Sequence, residues 1–139
     1  MKRTAKIATA LILLFAFALC LISCNGQNDP WESAKYTEDK TLGEGEVQFT
    51  VEVEADDRKV TFTVKTNEET VGDALTELEL IDGEEGQFGL YVKEVNGITA
   101  DFDADGYYWA FYVDGALSMV GIDGTPVTDG AAYKLAREK

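Results

Sequence analysis

The sequence contains no histidine and only two cysteines. Without histidine, a Ser-His or Cys-His nucleophile is excluded, and so are most catalytic zinc sites. No glycine-rich phosphate-binding loop is present either. Paired carboxylates are compatible with glycoside hydrolysis, but the acids cluster in turns rather than along an evident cleft. We therefore predict that the protein is not an enzyme.

Basic residues are also scarce, with 12 Lys and Arg against 26 Asp and Glu and a formal net charge of −14. A negative field repels nucleic acid and anionic lipid head groups, and it attracts cations. We therefore expect no nucleic-acid partner. A solvated surface that keeps the protein soluble explains most of the acids equally well.

The N-terminal segment has the layout of an export signal. Its positive head is formed by Lys2, Arg3 and Lys6. An apolar run at 7–22 follows and is interrupted only by Thr9. This run is short for a membrane-spanning helix, which needs about 20 apolar residues, and no Lys or Arg cluster follows it. The sequence therefore predicts a signal peptide at 1–23 rather than a permanent span.

The end of the apolar run predicts how the protein is anchored. It consists of Leu21-Ile22-Ser23-Cys24, which resembles the bacterial lipobox, where a small residue precedes the cysteine that receives diacylglycerol. The resemblance implies a lipoprotein with lipid on Cys24, anchored at the extracellular face of the cell membrane. Ordinary secretion with a free Cys24 is the alternative. Because Cys20 is removed with the signal peptide, no internal disulfide is expected.

The remaining chain divides into a polar segment and a folded domain. Residues 24–45 show neither a period of two nor one of 3.6, so they are predicted to be a flexible tether, although Trp31 and Tyr36 could dock on the domain. The domain is predicted at 46–139.

Strand and helix patterns alternate along this domain. Apolar residues alternate on both sides of a polar turn within 47–64 and predict an antiparallel hairpin. The spacing of apolar residues at 71–78 predicts one helix. About four more strands follow, among them 107–113, which ends in the tight hairpin turn Asp114-Gly115. We predict an α+β fold with a mostly antiparallel sheet and one helix.

Four motifs give the domain a family likeness. In chain order they are Thr70-Val71-Gly72-Asp73-Ala74-Leu75, Gly89-Leu90-Tyr91-Val92 with Val95-Asn96-Gly97-Ile98, Tyr108-Trp109-Ala110-Phe111-Tyr112-Val113-Asp114-Gly115, and Val127-Thr128-Asp129-Gly130. Together they resemble the transcobalamin-like C-terminal domain family, a domain of unknown function common in lipoproteins of Gram-positive bacteria. The resemblance implies a β-grasp-like fold, and kinship with the small domain that helps transcobalamin and intrinsic factor to close over a corrinoid.

The same resemblance limits the ligand that can be inferred. In those carriers a larger helical domain supplies the other wall of the site, and this chain is too short to encode it. A lone small domain therefore binds a corrinoid modestly, uses a partner protein as the second wall, or has another ligand.

The aromatic strand at 107–113 is the first candidate for a binding surface. Alternation along the strand puts Tyr108 and Tyr112 on the face opposite to Trp109, which is expected to lie in the core. An open tyrosine face would offer flat amphipathic area to a planar ligand or to a protein. The predicted ligand contacts are Tyr108, Tyr112, Phe88 and Tyr91, with Met119 beside them.

An acidic segment is the candidate metal site. Asp101, Asp103 and Asp105 alternate before a glycine, as in the first half of a calcium loop. The glycine would let the carbonyl of Tyr107 point inward as a further oxygen ligand. The second half of the pattern lacks the bidentate Glu, so the segment is not an EF-hand. These four residues are predicted to bind calcium, and a solvated acidic connection is the alternative.

Two functions follow from these patterns. The first is a surface-anchored module that binds a small molecule, with a corrinoid as the ligand that the resemblance implies. The second is a calcium-stabilised interaction module that contacts another surface protein or a wall polymer through the tyrosine face. Calcium and a corrinoid are thus the two candidate cofactors or ligands, and the sequence requires neither.

Overall fold

A computed structural model describes residues 28–139 of the chain. The predicted signal peptide at 1–23, the predicted lipidation site Cys24 and residues 25–27 lie outside the described residues. Within the described part, no helix is long and apolar enough to cross a membrane. Lipidation of Cys24 therefore stays a prediction.

The described part contains nine strands, two α-helices and two 3-10 helices. The strands are β1 (Lys40–Leu42), β2 (Val47–Ala55), β3 (Arg58–Thr66), β4 (Ile81–Gly86), β5 (Gly89–Val95), β6 (Ile98–Thr99), β7 (Tyr108–Val113), β8 (Ala116–Leu117) and β9 (Ala132–Glu138). The helices are α1 (Val71–Glu77) and α2 (Phe102–Asp105), and the 3-10 helices are η1 (Pro30–Ser33) and η2 (Ile122–Gly124). Because α1 is the one main helix among these elements, the fold is α+β.

The main sheet has six strands in the order β1-β3-β2-β9-β7-β8. β2 and β3 form the predicted antiparallel hairpin, with Val53 opposite Val60 near the turn. β9 runs parallel to β2, and β1 runs parallel to β3. The β2–β9 pair is parallel because the chain builds α1 and a second sheet before it returns to the centre of the main sheet. The main sheet is therefore mixed, with antiparallel pairs in the majority.

The second sheet has three antiparallel strands in the order β4-β5-β6. The sequence predicts a helix stop at Asp82-Gly83 and an acidic turn before Phe88, but 81–86 form strand β4. Its register shifts between Asp82 and Gly83, and a side chain on Gly83 would collide with the carbonyl of Tyr91. Exposed acids occupy half of β4, so it lacks the apolar alternation that reveals a strand.

The helix α1 starts at its predicted cap. The Thr70 hydroxyl accepts a hydrogen bond from the Asp73 N–H at 3.1 Å. Three residues with helical spacing, Val71, Ala74 and Leu75, are buried on one side of the helix. The core that they join also contains Phe49, Val51, Val53, Phe62, Val64, Trp109, Tyr133 and Leu135.

Residues 28–45 differ from the predicted flexible tether. Trp31 is only 3% exposed, and its Nε1 donates a hydrogen bond of 2.9 Å to the carbonyl of Ala55. The Arg58 guanidinium lies 4.9 Å from the centre of the Trp31 ring, and it pairs with Asp29 at 3.2 Å. The docking of Trp31 therefore fixes residues 28–42, which we call the arm, on the domain.

The turn at Asn96-Gly97 holds the arm at a second point. Asn96 is fully buried. Its side-chain amide accepts from the Tyr36 N–H at 3.0 Å and donates to the Tyr36 carbonyl at 2.8 Å. Gly97 has a φ of +79°, and a side chain there would collide with the carbonyl of Ser33. Within the described residues, the arm thus packs on the domain that the sequence predicts at 46–139.

Candidate functional site

The two strand tyrosines that the sequence selects lie on the outer face of the main sheet, opposite to Trp109. The Tyr108 hydroxyl donates to Glu138 Oε2 at 3.2 Å, and the Tyr112 hydroxyl donates to Glu138 Oε1 at 2.6 Å. Lys134 Nζ lies 5.3 Å from the centre of the Tyr112 ring. Both tyrosines are thus fixed by one carboxylate in a charged neighbourhood.

These hydrogen bonds also affect titration. The hydrogen bond to the Glu138 carboxylate raises the pKa of Tyr108, and the same carboxylate, helped by partial burial, raises the pKa of Tyr112. Both hydroxyls therefore stay protonated and act as donors at neutral pH. The tyrosine face is a hydrogen-bonded polar surface rather than an open apolar one.

The other two predicted ligand contacts, Phe88 and Tyr91, lie on the opposite side of β7. They line a cavity of about 350 Å³ between β5 and β7, which belong to different sheets. Its lining consists of Phe88, Leu90, Tyr91, Val92, Trp109, Phe111, Ser118, Met119, Val120, Gly121, Ile122 and Leu135. We call this cavity the apolar groove. The structure thus divides the four predicted contacts into two separate pairs.

The rim of the groove exposes large apolar side chains to solvent. Phe88 is 92% exposed and Met119 is 95% exposed. Of the six large apolar residues that are exposed within residues 28–139, four line the groove, because Tyr91 and Val120 join these two. Single exposed apolar residues are ordinary, but a contiguous apolar patch beside a cavity is typical of a ligand or partner site.

Charge is absent from the lining of the groove. None of the lining residues is Asp, Glu, Lys or Arg, although 27% of the chain is charged. The polar side chains of the lining are those of Ser118, Tyr91 and Trp109. The groove is therefore suited to an uncharged part of a ligand, since a buried charge would find no ionic partner there.

Asp123, for which no role was predicted, joins the two walls of the groove. Its Oδ2 accepts a hydrogen bond of 3.0 Å from the Leu90 N–H, which ties η2 to β5. Gly89 has a φ of +104°, and a Cβ on it would lie 2.7 Å from both carboxylate oxygens. A Cβ on Gly72 would lie 2.7 Å from the Asp123 Cα. The isolated glycines in the sequence motifs could have indicated this contact, because a glycine within a strand or helix often marks the close approach of another group.

The predicted calcium ligands form a capped helical turn instead of an open loop. Asp101 caps α2, and its Oδ1 accepts from the Asp103 N–H at 3.3 Å. Asp105 Oδ1 accepts from the N–H groups of Asp101 and Tyr107 at 3.2 and 2.8 Å. These carboxylate oxygens therefore already accept hydrogen bonds from backbone N–H groups.

Two cations that are distant in sequence approach the same carboxylates. Lys93 Nζ lies 3.6 Å from Asp101, and an Arg137 Nη atom lies 3.5 Å from Asp105. The Arg137 guanidinium also stacks on the Tyr107 ring at 3.7 Å. Nowhere in residues 28–139 do three or more Asp, Glu or Cys side chains cluster as metal ligands. Calcium binding stays a prediction.

A second cavity, of about 590 Å³, lies where the arm meets the ends of β2 and β9. Its lining includes Asp29, Glu32, Asp56 and Arg137. Arg137 is already engaged, because its Nε donates to the Thr99 carbonyl at 3.0 Å and it also pairs with two aspartates. This cavity is larger than the groove, but it is polar and its cation is satisfied, so the groove is the better candidate site.

The sequence matches the family described as Domain of unknown function (DUF4430) over residues 68–132. It is also similar to the crystal structure of a "putative metal binding protein" from Ruminococcus gnavus ATCC 29149. Identity is 33%, the match covers 68% of this chain and 98% of that one, and the TM-score is 0.63. This chain belongs to the DUF4430 family. The matched range contains Asp123 and most of the groove, whereas the arm lies outside it.

The fold of this DUF4430 protein is also similar to that of haptocorrin, whose structure was solved in complex with Cbi. Identity is 18%, the TM-score is 0.51, and the match covers 70% of this chain and 26% of haptocorrin. The likeness concerns the fold alone. The chain spans about a quarter of the length of haptocorrin. No curated protein matches the sequence.

The Ruminococcus gnavus structure also indicates that such a domain folds by itself. Nearly the whole of that chain, 98%, corresponds to 68% of this one. A relative of about this domain's extent was therefore crystallised as a separate chain, and the fragment 28–139 follows that precedent in the binding experiments.

Proposed function

We propose that this DUF4430 protein is a ligand-binding module whose apolar groove takes an uncharged part of a small molecule. The observation that carries the proposal is the collection of exposed Phe88, Tyr91, Met119 and Val120 around one cavity. Leaving such side chains in water costs free energy that a bound ligand recovers. The likeness to haptocorrin adds that this fold occurs in a protein whose structure was solved with Cbi bound.

The size of the groove sets the affinity that is expected. Covering the apolar surface of one small groove contributes a few kcal/mol at the usual coefficient of about 25 cal/mol/Å². Association costs at least about 4 kcal/mol, so apolar contact with the groove alone gives weak binding. Tighter binding therefore needs specific polar contacts or a second wall supplied by a partner.

A corrinoid is the first ligand to test, because the resemblance to transcobalamin-like domains implies it. The groove is smaller than a whole corrinoid, so it would hold one apolar edge and leave the rest for a partner protein. Anchoring at the extracellular face of the membrane through lipid on Cys24 is part of the proposal, and the sequence at 21–24 supports it.

The test is a titration of the fragment 28–139 with a panel of corrinoids, monitored by visible absorption and by tryptophan fluorescence. The double variant Phe88→Ser with Met119→Ser is expected to weaken binding at least about tenfold, because it removes the two most exposed groove contacts. Phe102→Ser is the matched control, since Phe102 is also an exposed large apolar residue but lies outside the groove. Equal binding by the double variant and the control would place the ligand elsewhere.

Metal binding is the second candidate function, because the 33% identical Ruminococcus gnavus relative is named for it. In this chain the alternating Asp101, Asp103 and Asp105 would carry it, in a calcium-stabilised module that contacts another surface protein or a wall polymer through the tyrosine face. The hydrogen bonds and ion pairs of Asp101 and Asp105 compete with such a site. A calcium titration separates the two candidates.

A further inference from the structure

The two sheets have four edge strands within residues 28–139, and these edges differ in how they are protected. An edge strand exposes unpaired backbone N–H and C=O groups, so proteins usually place charged side chains on it or cover it. β4 carries three acids, and β1 carries Lys40. At β6, the Thr99 carbonyl accepts a hydrogen bond of 3.0 Å from Arg137 Nε, and η1 packs against the strand. Among the described residues, β8 has neither a charged side chain nor a strand on its outer side.

The hydrogen bonds of the β7–β8 hairpin leave one residue of β8 facing outward. The Ser118 N–H donates to the Phe111 carbonyl at 2.9 Å, so these two residues form a hydrogen-bonded pair. Bonded and non-bonded pairs alternate along an antiparallel ladder, and the next pair toward the turn is Tyr112 with Leu117. Leu117 therefore directs both its N–H and its C=O away from β7, toward the open edge of the main sheet.

The same edge also exposes apolar side chains. Leu117 is 59% exposed, Met119 is 95% exposed and Val120 is 56% exposed. Three of the six large apolar residues that are exposed within residues 28–139 thus lie within four consecutive positions. No charged residue occurs at 115–122, although 27% of the chain is charged. An uncharged open edge with exposed apolar side chains is suited to contact with another chain.

A second copy of this chain fits the edge better than a foreign strand does. Strand addition by a foreign peptide depends on several main-chain hydrogen bonds, but Leu117 alone offers outward groups. In a two-fold arrangement every feature is used twice, because Leu117 exchanges two hydrogen bonds with Leu117 of the second copy and both apolar segments are covered. The net charge of −14 makes two copies repel each other. An uncharged segment is therefore the place where two copies can approach closely.

We infer that β8 is a self-association edge, at which two copies of this chain join their main sheets antiparallel across a two-fold axis. The two six-stranded sheets then form one continuous sheet through the Leu117 pair. Met119 and Val120 also line the apolar groove, so the second copy contributes to the wall that the groove lacks. The pairing goes beyond the proposed function, because it does not depend on a ligand in the groove.

The expected association is weak and depends on salt. β8 is two residues long, so the interface is small and belongs to the class of transient contacts. Sedimentation velocity of the fragment 28–139 between about 10 µM and 1 mM should show a sedimentation coefficient that rises with concentration. The rise should be steeper at about 0.5 M than at about 0.05 M sodium chloride, because salt screens the repulsion between two acidic chains.

Two variants with the same change in net charge complete the test. Leu117→Lys places a charge on the edge and should weaken the association at least about tenfold. Phe102→Lys is the control, since Phe102 has a similar exposed fraction of 56% but lies outside β8, and it should associate like the unmodified fragment. In the unmodified fragment, the amide resonance of Leu117 should shift with concentration, while that of Thr41 in β1 stays in place.

Two results would overturn the inference. One is a fragment that remains monomeric up to about 1 mM at high salt with an unmoved Leu117 resonance, which would leave β8 to a partner of another kind. The other is an association that Leu117→Lys and Phe102→Lys weaken equally, because the copies would then meet at another surface. Should Leu117→Lys fail to fold, the concentration dependence of the Leu117 and Thr41 resonances still decides.

Discussion

The two sides of β7 carry aromatic residues that are held in different ways. On the outer side, Tyr108 and Tyr112 donate to one carboxylate, that of Glu138. On the groove side, Trp109 has an unpaired N–H, and it borders apolar side chains that are exposed to solvent. The polar atoms of the outer tyrosines find their partners within the protein. The groove side instead combines an unpaired buried donor with exposed apolar area, and such area is typical of a binding surface.

The largest expected effect comes from Trp109→Ala, because Trp109 supports the core as well as the groove. We expect a loss of about 3 to 5 kcal/mol in the free energy of unfolding, measured by urea denaturation, since the change empties a large core aromatic site. Tyr112→Ala, on the other side of the same strand, should cost clearly less. A loss of similar size for the two variants would show that both sides of β7 contribute equally to the free energy of unfolding.

The next largest effect concerns the contact between Gly89 and Asp123, which joins the two walls of the groove. Gly89→Ala should destabilise by about 3 kcal/mol, because the residue has a positive φ and its Cβ would press on the Asp123 carboxylate. Gly106→Ala is the control: its φ is +76°, but its Cβ would meet no atom within 4 Å, so only the backbone cost of about 1 to 2 kcal/mol is expected. Equal losses would mean that Asp123 adjusts freely and does not fix the distance between the walls.

The tyrosines on the outer side of β7 should make the free energy of unfolding depend on pH in alkaline solution. Because Glu138 raises the pKa of Tyr108 and Tyr112 above the ordinary value of 10.0, the folded state binds their protons more tightly than the unfolded state does. The contribution of these two tyrosines to the free energy of unfolding is therefore present at neutral pH and is lost as the pH rises above about 10. Replacing both by Phe should flatten the decline in unfolding free energy above that pH, while groove binding stays unchanged. A decline of the same steepness would rule out the coupling to Glu138.

Calcium is expected to have the smallest effect. A site with an extracellular type of affinity would stabilise by about 1 to 3 kcal/mol at about 10 mM calcium. Since Asp101 and Asp105 already bond the backbone and pair with Lys93 and Arg137, we expect the melting temperature to change by less than about 1 °C, well below that gain. A larger rise, abolished by Asp103→Asn with Asp105→Asn, would favour the metal-binding candidate instead.

Elements with a regular pattern were predictable from the sequence. The hairpin of β2 and β3, the helix behind Thr70 and the burial of Trp109 all follow from a period of two or of 3.6. The sequence offered the docking of the arm only as an alternative, because the contacts that hold it show no periodicity. They are the Trp31 indole, the Asn96 side chain and the pairing of the short strand β1 with β3.

The site depended on contacts that the sequence does not display. Phe88 and Tyr91 were predicted to border the face of Tyr108 and Tyr112, but both line the groove on the other side of β7. The groove forms between two separate sheets, so strand alternation alone could not place its walls. Likewise, Lys93 and Arg137 reach Asp101 and Asp105 only through the fold.

If Cys24 carries the predicted lipid, the docked arm shortens the distance between the domain and the membrane. A tether spanning residues 24–45 would let the domain range over about 75 Å, at up to roughly 3.6 Å per residue. With the arm fixed from residue 28 onward and the predicted lipid on Cys24, four residue steps remain, a reach of about 14 Å. The domain would then stay close to the bilayer surface instead of moving away from it on a long flexible tether. A partner that completes the groove would have to meet it there, which favours another membrane-bound protein over one that diffuses in the medium.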